Sequence, residues 1–157
     1  MKDTAALMAD FFAQDDLARL TADAGELLDC PLMVIDDAFR VTAHYAPPGF
    51  TDPLFDRAVQ QGAITYEAGA IISRSPALSA GAPDYVEVAD STRRRRFAPL
   101  ISVGVRLGYL VCVDIDGHLA DIPAETFRTV ETVLAKQLFV EASRQDKPFG
   151  TAELLAR

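Results

Sequence analysis

Arg93, Arg94, Arg95 and Arg96 stand side by side in STRRRRFAPLISV. Guanidinium groups bind carboxylate and phosphate through a planar two-point fork, so the run raises two chemistries, a nucleic-acid grip or a site for a small anion. In an extended strand successive side chains alternate between faces. Arg94 and Arg96 then point one way and Arg93 and Arg95 the other, and no face carries the whole run. Asp84, Glu87 and Asp90, on the strand just before, are placed to neutralise it by pairing across strands. Grooves for single-stranded nucleic acid interleave aromatic rings with positive charge, and only Phe97 adjoins these arginines. The formal net charge of -8 repels phosphate backbones and anionic membranes. A solvated strand start with local ion pairs therefore ranks first, one arginine turned into an anionic ligand or partner site second, and nucleic acid last. Arg96, nearest the apolar strand, is the arginine best held for the second role.

Other reactive residue types lead to weaker chemistries. In CVDIDGHLADIP, Asp114, Asp116 and Gly117 fall on three positions of a calcium-binding loop, but Cys112 and Pro123 occupy the first and last, where carboxylates belong. The segment reads instead as a turn after a strand. His44 and His118 lie at no tight metal-ligand spacing from Asp114 or Cys112, and no metal is expected. Cys112 with His44 makes a poor nucleophile pair, because a cysteine on an apolar strand is far more often inert. Asp36 and Asp37 are adjacent in a turn and diverge, which does not suit paired acid-base work. The chain has no GxSxG elbow, no HExxH and no glycine-rich phosphate loop followed by lysine. It reads as a non-enzyme with no cofactor.

These residues need a scaffold. The chain has 157 residues, 50% of them hydrophobic and 24% charged, which suits one domain with a substantial core. Cys30 and Cys112, in LLDCPLMV and YLVCVDI, look like core positions of a protein kept reduced, so a cytoplasmic setting is expected. No stretch reads as a signal peptide or membrane span.

Spacing predicts an amphipathic segment over 3–13, a helix from Asp16 to Leu28 capped by Asp15 or Asp16, and two strands around the turn Asp36-Asp37-Ala38-Phe39. TDPLFDRAVQQG follows as a helix with Thr51 or Asp52 as cap, Pro53 in its first turn and Gly62 at its end. A short strand over 64–66, a short helix around 68–72 and a small-residue loop come next. DYVEVAD, RFAPLISV and RLGYLVCVDI read as strands, the last two forming a hairpin across Gly104. A long helix runs from Pro123 to about Arg144, Lys147-Pro148 breaks it, and Thr151 begins another.

The expected class is α+β, with a central antiparallel sheet of about five strands and the N- and C-terminal helices packed on one face. LLDCPLMVIDDAFRVTA, then RFAPL, a glycine turn, LGYLVCVD and a long amphipathic helix resemble a GAF/PAS-type sensory domain. More narrowly, the chain is similar to the N-terminal domain of PucR/CdaR-type bacterial helix-turn-helix transcriptional regulators. The resemblance covers about residues 16–145 and rests on the order of elements; no helix-turn-helix follows. It implies an N-terminal helical segment over 1–15, a sensor domain over 16–145, and a linker or the start of a further helix over 146–157. The implied role is a non-catalytic sensory or regulatory module that binds a small ligand and dimerises. A protein-interaction and dimerisation scaffold with a degenerate pocket is the alternative.

For the ligand, an anion where arginine is the anchor, the candidates are Arg96, Tyr66, His44, Ile71 and Arg74. YEAGAIISRSPALSAGAP is either a lid over the pocket or a plain surface loop. For the homodimer the candidates are Phe11, Phe12, Phe127, Val130, Leu134 and Leu138. Val133, Ala135, Phe139, Val140 and Ala142 widen the apolar arc of the last helix beyond the roughly 100° that covering one sheet needs. Packing of the N-terminal helices within the same chain is the alternative occupant. Neither nucleic acid nor membrane is an expected partner.

Overall fold

A computed structural model describes residues 3–13, 16–87 and 93–156, with side chains described as far as Arg144. Short polar side chains set most helix starts. Asp3 accepts from the Ala6 N–H to open α1 (Thr4–Phe12), and Asp16 accepts from the Arg19 N–H to open α2 (Leu17–Leu28). Asp29, in the left-handed conformation, ends α2. β1 (Leu32–Asp36) and β2 (Val41–Tyr45) are joined by a turn in which the Asp36 carboxylate accepts from the Ala38 and Arg40 N–H groups. Asp52 caps α3 (Pro53–Gln61), and Gly62, at φ 74°, closes it.

Thr65 caps α4 (Tyr66–Arg74), and Ser75 caps α5 (Pro76–Ser79). β3 (Asp84–Glu87), β4 (Arg94–Ser102) and β5 (Val105–Asp114) complete the sheet. A 3-10 turn (His118–Asp121) leads into α6 (Ala124–Ala156).

The five strands lie in the order β2-β1-β5-β4-β3, and every neighbouring pair is antiparallel. This is the expected α+β class, consistent with a GAF/PAS-like fold. Strand alternation divides the core in two. Leu32, Val34, Leu100, Leu110 and Cys112 face α1, α2 and α6, meeting Leu7, Leu20, Leu28, Val130 and Leu134. Met33, Ile35, Phe97, Val111 and Val113 face the other way, onto Phe55, Ile72 and Leu78 of α3, α4 and α5. The terminal helices thus share one face of the sheet, as predicted. At Gly108 the strands β1 and β5 approach so closely that a Cβ would lie 1.9 Å from the Ile35 carbonyl oxygen.

Three local expectations change. The predicted strand over 64–66 is absent: Ala63 makes one isolated bridge to Arg40, and the Thr65 hydroxyl accepts from the Ala68 N–H, so the helix begins at Tyr66. A side-chain cap here prevails over weak strand propensity. The short helix expected around 68–72 is present as the longer α4, and part of the small-residue loop expected after it is α5, because Ser75 and a first-turn Pro suit a helix start. The last helix does not break at Lys147-Pro148 but continues to Ala156; an internal proline removes one helical hydrogen bond and favours a kink without obliging the helix to end. Among the described residues no helix is long and apolar enough to cross a membrane.

Candidate functional site

The arginine run splits between the two faces of the sheet in the predicted alternation. On the α3 side, an Arg95 terminal nitrogen lies 2.6 Å from Asp52 Oδ1 and another donates to the Arg93 carbonyl at 2.8 Å. Arg93 donates to the Thr51 carbonyl at 2.8 Å and stands 5.1 Å over the Phe50 ring. On the α6 side, Arg96 lies 2.7 Å from Glu131 and 3.7 Å over the Phe127 ring, while Arg94 reaches Asp114 at 3.5 Å and the Tyr85 ring at 4.9 Å.

The carboxylate partners differ from those predicted. Asp84 opposes Phe97 in the ladder and accepts from the Ser75 hydroxyl at 2.7 Å; Glu87 opposes Arg94, whose guanidinium turns to Asp114 on the other side. Asp90 lies outside the described residues. Burial pushes the Glu131 carboxyl up; the adjacent Arg96 opposes this, and the net shift is upward.

Between the sheet and the α3–α4 layer lies a cavity of about 40 Å³, walled by Met33, Phe55, Ile64, Ala68, Phe97 and Val111. Arg95 is the charged side chain on its wall. The volume suits one or a few waters. It stands opposite the terminal helices, on the face where a pocket is expected from the sequence, and the arginine that reaches its wall is Arg95, not Arg96. A one-residue step along a strand exchanges faces, and Arg96 lies under α6 instead.

The other predicted ligand residues do not converge on this cavity. Tyr66, 91% exposed, shares an open groove on the outer side of α4 with Arg74, Phe39 and Ser73. Ile71 is half-buried and does not line that groove, and His44 is exposed on β2. Of the residues that sequence reasoning missed, Asp52 had been legible only as a helix cap, and Glu131 gave no signal beyond being polar on an apolar helix.

The predicted dimer residues divide in the same way. Phe127, Val130, Leu134 and Leu138 are buried in the core between α6, α2 and the sheet, so they are not available to a second subunit in this arrangement. α1 and α2, the alternative occupants, cover that part of the arc. Phe11 is half-buried and Phe12 is 71% exposed, the two rings 5.6 Å apart beside a groove between α1 and α6.

At the end of β5, Asp114, Asp116 and His118 bring one ligand atom each within 4.8 Å of one another. Their atoms are engaged: His118 Nε2 donates to the Leu28 carbonyl at 2.8 Å, its Nδ1 contacts the Asp116 carboxylate, and Asp114 pairs with Arg94. Partial burial pulls the His118 pKa down, but the Leu28 carbonyl and the Asp116 carboxylate outweigh it and the net shift is upward. His118 thereby clasps the C-terminus of α2 to the end of the sheet. Cys30 and Cys112 are both buried and unbridged; the adjoining Cys112 thiol and burial push the Cys30 thiol above its ordinary range, disfavouring the thiolate.

Comparison with family models gives no match, and none of the curated proteins compared matches this sequence.

Proposed function

We propose that the chain is a non-catalytic, cytoplasmic sensory module of a bacterial transcriptional regulator, binding a small anion between its sheet and the α3–α4 layer and dimerising through its terminal helices. The observation that carries the ligand reading is Arg95, a buried guanidinium on the wall of an apolar cavity, held by a carboxylate that also caps the neighbouring helix. Apolar walls with one placed cation suit recognition of a small organic anion. In this reading the ligand's carboxylate meets the paired Arg95 guanidinium from the cavity side and shifts the Arg95–Asp52 pair as a unit, with outward movement of α3 and α4 making the room.

The test is a thermal-shift screen against small carboxylic acids, purines and nucleotides, because a ligand that binds only the folded chain raises its melting temperature. The reading expects a concentration-dependent rise that Arg95→Lys weakens and that a substitution at Tyr66 leaves unchanged. A panel with no shift favours the second reading, a protein-interaction and dimerisation scaffold with a degenerate pocket. Two observations support that alternative: the cavity is only about 40 Å³, and Phe12 is largely exposed beside the α1–α6 groove.

A further inference from the structure

Two adjacent side chains of β4 are buried on opposite faces of the sheet, and each is fixed to a carboxylate on the layer that covers its face. Arg95 and Asp52 are 4% and 2% exposed; Arg96 and Glu131 are 7% and 19% exposed. We propose that the peptide unit joining Arg95 to Arg96 is a cross-sheet coupler, through which a change in the Arg95–Asp52 pair at the cavity alters the grip of Arg96 on α6.

Burial makes each pair hard to break, because removing one partner strands a charge away from water; the fold therefore favours moving a pair over separating it. β4 is an interior strand laddered to β3 and β5, so it yields by local twist more readily than by sliding. Twist at one residue swings its neighbour's side chain in the opposite sense on the opposite face.

The two ends of the coupler are built to pass on such a motion. Asp52 Oδ1 accepts from the Leu54 and Phe55 N–H groups as well as from Arg95, so displacing it loosens the first turn of α3, and Phe55 is a cavity wall. Arg96 lies against Phe127 and Glu131, one turn apart on α6, the helix that carries the chain out of the sheet to Ala156. The pair thus links the cavity to the exit helix by the shortest covalent route across the sheet. Its use as a regulatory relay rests on the sensing function proposed above, whereas the coupling itself does not need a ligand.

A double-mutant cycle by urea unfolding tests the coupling without one. Asp52→Asn keeps a side-chain oxygen for the helix cap and removes the charge facing Arg95; Glu131→Gln removes the charge facing Arg96. The two positions lie on opposite sides of the sheet, and separated sites combine to within about twofold in the unfolding constant. A coupler predicts a departure from additivity of about fivefold or more. An additive double variant overturns it, whatever the ligand screen shows. If Asp52→Asn does not fold, Arg95→Lys takes its place in the cycle. Hydrogen exchange supplies a second reading on the single variant: Asp52→Asn should speed exchange in α6 at least fivefold more than Thr65→Ala at matched global stability. Equal exchange in the two variants also overturns the coupler.

Discussion

Arg95 and Asp52 form an ion pair 2.6 Å long that is almost wholly removed from water. Such a pair is held less by its own attraction than by the penalty for leaving either charge alone. Arg95→Met removes the nearer of the two arginines that face the Asp52 carboxylate and should lower stability by about 3 kcal/mol, the low end of the cost of breaking a buried pair, because Arg93 still stands 3.5 Å away. Adding Asp52→Asn to it should restore part of that loss. Urea unfolding of the two single variants and the double variant checks this; a double variant as unstable as the sum of the singles would contradict it.

His118 gives a pH-dependent contribution of known sign. Its folded pKa lies above the ordinary value of 6.5. The stabilisation that depends on the charged imidazolium is therefore fully present below that value and is lost as pH rises through the folded pKa, while the neutral ring keeps its Nε2–H bond to Leu28. Wild type should exceed His118→Gln in stability at pH 5.5 by more than it does at pH 8.5. Because the imidazole is partly exposed, screening keeps the difference below about 1 kcal/mol. Denaturation curves at the two pH values decide it, and an advantage that grows with pH would reverse the assignment.

Gly108→Ala places a Cβ 1.9 Å from the Ile35 carbonyl oxygen, and neither atom is on a flexible side chain. β1 must then separate from β5 at the Asp36 end of their ladder. We expect a loss of more than about 3 kcal/mol, above the usual range for a single substitution. Gly104→Ala, at φ 75° in an open turn, should cost only about 1–2 kcal/mol from backbone strain. Thermal unfolding of both variants compares them, with the order Gly108→Ala below Gly104→Ala as the expected result.

Phe12 and Leu134 separate association from folding. Phe12 is 71% exposed on α1, whereas Leu134 is wholly buried on α6. If the α1–α6 surface joins two copies, Phe12→Asp should shift the chain toward monomer in analytical ultracentrifugation with unchanged circular dichroism. Leu134→Asp should unfold it, because a buried unpaired charge has no partner in the core. A wild type that stays monomeric at high concentration rejects the dimer; a dimer indifferent to Phe12→Asp moves it to another surface.

Local signals made much of the fold legible in advance. Asp16, Asp52 with Pro53, and Gly62 mark helix ends because their side chains or backbone freedom act within a few residues. The alternation in RRRRFAPLISV and RLGYLVCVDI predicted the hairpin and the division of the arginines between faces, since the strand period is a property of the backbone. Thr65 was misread because a threonine serves a strand or a cap, and only the Ala68 N–H beyond it decides which.

The sequence by itself determined most of the element order, the α+β class and the opposition of Arg95 to Arg96, all consequences of periodicity and short-range capping. The tertiary structure alone decided which face met which layer. That choice gave Arg95 the cavity, sent Arg96 to Glu131 across 35 positions of sequence, and enclosed Phe127, Val130, Leu134 and Leu138 within one chain while leaving Phe12 outside. Faces of a strand are equivalent until helices cover them, and the coverage depends on contacts between segments far apart in the chain, which no local pattern records.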